Sequence, residues 1–108
     1  MLDDNIVHPK RRVIMIVLFI FREMTEGELS KATGINWGSL STHLSRLEKR
    51  GYIERRKVIT NKGVRTVVRI TESGYRAYKE EVEKLKNLIK KQSISEEKTV
   101  YNSNHIAL

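Results

Sequence analysis

The chain has 108 residues, enough for one domain with a single modest hydrophobic core. It has no cysteine, which excludes disulfides and thiolate metal sites, and its three histidines are widely spaced, so we predict no metal and no cofactor. The most apolar run, Val13 to Phe21, is about half the length of a bilayer span and lacks a signal cleavage pattern. We therefore expect an intracellular, cytoplasmic protein with no membrane partner.

The formal net charge of +8 is concentrated in one part of the chain. Residues 43–69 contain nine basic and two acidic residues, a net charge of +7, whereas residues 1–42 sum to zero. A phosphate backbone favours such a concentration, because each neutralised phosphate releases condensed counterions. The alternative is an ordinary solvated basic surface, and the local structure decides between the two.

Two helices are predicted in the N-terminal part. Pro9 suits the first turn of a helix that runs to about Glu23. This helix is almost entirely apolar beyond its first turn, so we expect it to be covered on most sides, and a second subunit is one source of that cover. Thr25 and Glu28 form a capping box that begins the second helix, and Gly34 ends it.

A third helix follows after a very short turn, so the order is helix, tight turn, helix. Asn36 caps it, it spans residues 37–50, and Gly51 closes it. Its apolar stripe is Leu40, Leu44 and Leu47, and its opposite side is small, polar and basic. Short hydroxyl side chains allow a close approach to base edges, whereas a plain solvent-facing helix would carry more Glu, Lys and Gln. We assign DNA contacts here to Asn36, Trp37, Ser39, Ser41, Thr42, Ser45, Arg46 and Lys49.

A β-hairpin is predicted next. Tyr52 to Ile59 and Val64 to Ile70 are rich in β-branched residues and enclose a turn at residues 60–63. We interpret residues 53–70 as a wing, with Lys62 and Arg65 at or near its tip for contact with a phosphate or the minor groove.

Thr71 caps a last helix over residues 72–92. An apolar seam follows three-and-four spacing, and we assign it to dimerisation: Tyr75, Tyr78, Val82, Leu85 and Ile89. The alternative is that this seam packs on its own domain. Residues 93–108 form a polar tail without periodicity, a candidate for disorder.

The predicted fold class is mainly α with a small β-hairpin wing: one winged helix-turn-helix domain over residues 6–92, including the C-terminal dimerisation helix. Its order of elements resembles winged-helix transcription regulators of the MarR and ArsR type. The resemblance rests on His8-Pro9 with Arg12, on the segment from Leu40 to Ile53, and on Arg65-Thr66 followed by residues 69–74. It implies that helix 37–50 enters the major groove, that the wing contacts the backbone or minor groove, and that terminal helices form a homodimer.

Three features depart from that pattern or stay open. The wing tip reads Asn61-Lys62-Gly63-Val64, whereas related wings often carry an acidic residue and an arginine. Trp37 is unusual at the start of the recognition helix, where it either stacks or wedges against DNA or packs on the second helix. His43 lies near the apolar edge, which suits a structural role and a phosphate contact equally.

The sequence thus predicts a sequence-specific, double-stranded DNA-binding transcription regulator that acts as a homodimer. The main alternative is a winged-helix protein-interaction module, which has no need of the charge at residues 43–69. RNA binding would more naturally show exposed aromatic residues on a sheet. No enzyme is expected, because no acid/base pair, nucleophile signature or phosphate-binding glycine loop is found. The sequence does not identify a small-molecule effector.

Overall fold

The computed structural model describes residues 3–107, except for the side chains of Ile6 and of residues 92–107. Within this part the chain folds into five helices and three strands. They are α1 (Asp4–Val7), α2 (Pro9–Phe21), β1 (Glu23–Thr25), α3 (Glu26–Thr33), α4 (Trp37–Arg50), β2 (Ile53–Thr60), β3 (Gly63–Ile70) and α5 (Glu72–Ala107). The predicted fold class, a mainly helical winged helix-turn-helix with a long C-terminal helix, is confirmed.

Local signals position the helix-turn-helix as predicted. The Thr25 hydroxyl accepts from the Glu28 amide while the Glu28 carboxylate accepts from the Thr25 amide, which completes the capping box of α3. Gly34 ends α3 and Gly51 ends α4, both in the left-handed conformation that only glycine adopts at little cost. The result is a short, fixed connection between α3 and α4.

Two short elements were not predicted. α1 is a single turn in which the Asp3 side chain accepts from the Asn5 amide. β1 pairs antiparallel with β3, so that the predicted hairpin becomes a three-stranded sheet in the order β1-β3-β2. α2 consequently ends at Phe21 rather than at Glu23, because Arg22 turns the chain with a φ of 74° and Glu23 joins the sheet.

The hydrophobic core lies between the helices and one face of the sheet. α2 contributes a buried stripe, α3 contributes Leu29, and α4 contributes all three leucines of its predicted apolar stripe. The sheet closes the core with Ile53 from β2 and with Val68 and Ile70 from β3. These alternate positions on β3 face inward while Arg69 between them is exposed, as the strand pattern predicts.

The start of α5 is fixed to the end of α4. The Thr71 hydroxyl accepts from the Gly74 amide and donates to the Gly51 carbonyl, and the Thr71 amide donates to the Tyr52 carbonyl. Residues 72–92 were expected to form the whole helix, but α5 continues to Ala107. The side chains of the predicted polar tail lie outside the described residues. No helix in the described part of the chain combines the length and the apolar character needed to cross a bilayer.

Candidate nucleic-acid interface

The outward face of α4 is open to solvent. Leu40, Leu44 and Leu47 are fully buried on the inner face. Nearly all of the predicted DNA-contact residues of this helix are exposed, and Ser39 alone among them is half-buried: Asn36, Trp37, Ser41, Thr42, Ser45, Arg46 and Lys49 are exposed. The buried leucines on one face leave the small hydroxyl groups and the two cations, Arg46 and Lys49, on the open face. A ligand can reach them without any movement of the rest of the described chain.

Hydrogen bonds fix several of these polar groups before any ligand arrives. The Asn36 side chain accepts from the Ser39 amide at 3.0 Å and so caps the helix. The Thr42 hydroxyl donates to the Gly38 carbonyl at 3.2 Å, which leaves its oxygen lone pairs and its methyl group available to a base edge. Lys10, at the start of α2, donates to the Ser39 hydroxyl at 3.3 Å and adds a cation that sequence reasoning did not assign to this surface.

Arg55 joins the wing to the recognition helix. From β2 it donates to the Glu48 carboxylate at 2.9 Å and to the Ser45 hydroxyl at 3.3 Å. The hydrogen bond from Arg55 is the main reason that the pKa of Glu48 lies below its ordinary value. This bridge holds the outer face of α4 and one face of the wing on the same side of the molecule, which is the geometry that the DNA-binding hypothesis requires.

The tip of the wing is a tight turn held by its own side chains. The Thr60 hydroxyl accepts from the Lys62 amide at 3.2 Å and donates to the Gly63 carbonyl at 2.7 Å. Gly63 has a φ of 100°, a backbone conformation that a residue with a side chain adopts only with strain. Lys62 and Arg65 are exposed, as predicted, and the Arg65 guanidinium folds back onto the Val64 carbonyl at 3.0 Å.

Trp37 lies beside both α3 and the wing. A Cβ atom on Gly27 would lie 3.7 Å from its ring, so the tryptophan approaches the first turn of α3 closely. Its side chain nevertheless remains 56% exposed, and it lines a shared groove with Val64 and Thr66. The ring thus approaches α3, as one interpretation from the sequence expects, while its contact with DNA stays a prediction.

A buried arginine supports α4 from beneath. Arg11 of α2 is only 3% exposed and donates to the Asp4 carboxylate at 2.7 Å and to Nδ1 of His43 at 3.2 Å. Because arginine only donates hydrogen bonds, Nδ1 of His43 must accept, which places the histidine proton on Nε2. Burial, followed by the positive charges of His8 and Arg11, holds the pKa of His43 below its ordinary value. In the free protein His43 is therefore a neutral, hydrogen-bonded residue of the support.

Sequence reasoning missed Arg11, Lys10 and Arg55. One signal was present for Arg11, because it precedes the buried residues Ile14, Met15 and Leu18 at helical spacing and so falls on the same face. Lys10 carries no such signal, since its partner Ser39 lies 29 residues away, and Arg55 carries none because its contacts depend on how β2 packs against α4.

The comparison with protein families agrees with this geometry. The family model described as a winged helix DNA-binding domain matches residues 11–89. The chain belongs to this family. The predicted resemblance to winged-helix transcription regulators is therefore confirmed. No curated protein matches the chain significantly.

Solved structures show how far the winged-helix likeness extends. A transcriptional regulator homologue from Pyrococcus horikoshii OT3 is 32% identical with a TM-score of 0.70, and the match covers 81% of this chain and 86% of that one. The transcriptional repressor BigR from Xylella fastidiosa is 29% identical with a TM-score of 0.59 over 70% of each chain. NadR, solved in complex with 4-hydroxyphenylacetate, is 24% identical with a TM-score of 0.73 over 92% of this chain and 71% of that one, which shows the fold alone.

The residues assigned to dimerisation are divided between the core and the surface of the winged-helix domain. Tyr78 is fully buried and its hydroxyl donates to the Arg12 carbonyl at 3.0 Å, while Tyr75 and Val82 pack partly buried against the same core. Tyr75 also stacks on Phe19 of α2. Farther along α5, Leu85 is half-buried, and Ile89, together with its neighbour Leu88, is exposed. The first half of the seam thus packs on its own domain, which was the alternative interpretation, and only the second half is open to a partner.

An apolar surface also remains on the outer side of α2. Val13 is 41% exposed, Ile20 63% and Phe21 61%. Their spacing of seven and eight residues places them along one side of the helix. The sequence leads us to expect that this helix is covered in part from outside its own domain, and these three side chains are the ones that such cover would bury.

Proposed function

We propose that this winged-helix protein is a homodimeric transcription regulator that binds double-stranded DNA in a sequence-specific manner, with α4 in the major groove and the wing on the backbone or minor groove. One observation carries the proposal: the exposed Ser, Thr and Arg face of α4 and the basic wing share a side of the molecule, joined by Arg55. A non-enzymatic role and cytoplasmic localisation follow from a DNA partner.

The division of labour follows from side-chain chemistry. Arg46 has the reach and the paired donors to read a guanine, while Ser41, Thr42 and Ser45 are short enough to let the helix approach. Lys49, Lys62 and Arg65 supply charge to phosphates, which contributes affinity without reading sequence. Asn36 and Trp37 stand at the first turn of α4, where a winged-helix protein contacts the backbone beside the groove.

The homodimer is supported by the apolar surface that the domain leaves open. Val13, Ile20 and Phe21 on α2 are large side chains exposed to solvent, and so, at the other end of the packed part of α5, are Leu88 and Ile89. Exposed apolar patches commonly mark interaction sites. Two subunits joined through such a patch present two recognition helices to a roughly palindromic site.

Salt-dependent DNA binding tests the proposal. Binding of the full-length chain to a duplex of about three helical turns is followed by fluorescence anisotropy at several salt concentrations. Lys62→Ala should weaken binding to all duplexes alike and lower the salt slope by about 1. Lys79→Ala is the matched control, because it removes the same charge from an exposed position on α5.

Sequence preference is tested separately. Arg46→Ala should relax discrimination between duplexes that the chain selects from a random library and unrelated duplexes, at a cost of about 1–3 kcal/mol for the lost base contact. If Lys62→Ala and Arg65→Ala leave both affinity and salt slope unchanged, the role assigned to the wing is wrong. Light scattering measures the mass in solution, and a monomer at micromolar concentration contradicts the dimer.

A further inference from the structure

Two large aliphatic side chains lie exposed at the tip of the wing. Ile59 is 90% exposed and Val64 is 59% exposed. They are direct partners across the two strands, one residue pair before the turn, so both project from the same face of the hairpin. Exposure of this extent means that neither side chain contributes much to the core, and the pairing leaves an apolar surface at the tip of the wing.

This apolar pair faces the side that carries the recognition helix. Ile53, Arg55 and Ile59 alternate along one face of β2, and on that face Ile53 enters the core while Arg55 reaches Ser45 of α4. Val64 also shares a groove with Trp37, the first residue of α4. The exposed apolar side chains Trp37, Val64 and Ile59 thus follow one another from the start of the recognition helix to the wing tip, and we call them the apolar strip.

Positive charge borders the wing-tip end of the apolar strip, whereas Glu26 lines the groove between Trp37 and Val64. Lys57 stands on the same face of β2 as Ile59, and Lys62 and Arg65 flank the tip; all three are exposed. At the wing tip the apolar pair Ile59 and Val64 is flanked by these cations, an arrangement that complements a duplex, whose phosphates flank sugar and base edges. The same arrangement at an interface between two copies of this chain would bring like charges together.

The wing is long enough to reach from the recognition helix to the minor groove beside it. Ile59 lies four residue steps along the extended strand from Arg55, which is about 13 Å. A major groove is about 12 Å wide, so a wing that contacts α4 at Arg55 is long enough to pass the phosphate strand beside that groove and to reach the neighbouring minor groove.

We propose that Ile59 and Val64 form an apolar wedge that enters the minor groove beside the α4 site, packs on sugars and base edges, and bends the duplex by partly opening one base step. The proposal rests on the DNA-binding function proposed above and specifies its partner. A flexible T-A step at the flank is the preferred target, because it unstacks at the least cost and has no guanine amino group in the minor groove.

The test compares two variants of the full-length chain on duplexes that the wild-type chain selects from a random library. The double variant Ile59→Thr with Val64→Thr keeps β-branched side chains at exposed positions but removes their apolar character. Val58→Thr makes the same chemical change on the opposite face of the same strand and serves as the matched control. Energy transfer between dyes on the duplex ends reports bending, and anisotropy reports affinity.

We expect the double variant to melt like the wild type, to bind about tenfold or more weakly, and to lose both the bend and the preference for a T-A over a G-C step at the flank. Val58→Thr should change the affinity less than about twofold on the same scale. Equal bending and affinity in wild type and double variant overturn the wedge while DNA binding stands. A double variant that binds and bends normally but no longer self-associates overturns it also, because the strip then joins two copies. If the wild type selects no duplex, the proposed function itself fails and the wedge with it.

Discussion

Gly74 is the glycine at which an added methyl group should lower the stability of the fold most. A Cβ atom at this residue would lie 2.2 Å from the Tyr52 carbonyl oxygen and 2.9 Å from its carbon. Contacts below 3.0 Å essentially never occur for Cβ atoms, so the two backbones must separate by about 0.8 Å. Because the obstacle is backbone and not a flexible side chain, α5 must move away from the segment that joins α4 to the wing.

We expect Gly74→Ala to lower the free energy of unfolding by about 1–3 kcal/mol, the usual cost of overpacking, even after the gain of about 1 kcal/mol from alanine's helix propensity. This corresponds to a fall in melting temperature of about 5–15 °C for a domain of this size. The assay is thermal and urea unfolding by circular dichroism at fixed protomer concentration, since dimerisation would otherwise change the apparent stability.

Gly38→Ala is the matched control, because Gly38 also lies in the first turn of a helix. There a Cβ atom would meet only the Asn36 side-chain oxygen, at 3.7 Å. That variant should stabilise the protein by about 0.5–1 kcal/mol. If Gly74→Ala melts within about 2 °C of the wild type, the close approach of α5 to Tyr52 does not exist as described.

Three further predictions follow from the site and its support. Trp37 is the only tryptophan and is 56% exposed, so saturating duplex DNA should quench or shift its emission; unchanged emission removes it from the interface. Tyr78→Phe deletes the hydroxyl that donates to the Arg12 carbonyl and should lower the free energy of unfolding by about 1 kcal/mol in urea titrations. The pKa of His43 is held below 6.5, so below that pH the unfolded chain takes up a proton that the folded chain resists, and the free energy of unfolding falls as pH falls. His43→Asn offers Arg11 an uncharged acceptor and should abolish that part of the pH dependence; an unaltered profile means that His43 is not its source.

The elements that sequence could predict are those specified within a few residues. The capping box at Thr25 and Glu28, the glycines Gly34 and Gly51, and the leucine stripe of α4 each act over one or two helical turns, and the structure has all of them in place. The hairpin was predictable for the same reason. β1 was not, because three residues contain too little alternation to indicate a strand, and their partner is β3 more than forty residues later.

The candidate site was predictable in outline but not in its connections. Exposure of Ser41, Thr42 and Arg46 follows from helical periodicity alone. The contact of Arg55 with Ser45 depends on how far β2 packs from α4, which no local pattern specifies. Periodicity likewise grouped Tyr78 with Ile89 on one seam, yet α2 covers only the first of them, because the domain ends before α5 does.

α2 connects the two proposed surfaces of the molecule. Its first turn contacts the recognition helix through Lys10 and Arg11, and its outer side carries Val13, Ile20 and Phe21. A helix of 13 residues is about 20 Å of stiff rod, so a dimer formed on that outer side also determines where each α4 stands relative to its partner. Replacing Phe21 with a polar residue should therefore separate the subunits and weaken binding to paired half-sites, while a single half-site is bound as before. Replacing Arg11 should weaken binding even to a single half-site, because His43 of α4 loses its hydrogen-bond partner. The subunits should stay associated, because Arg11 is not part of the exposed apolar side of α2.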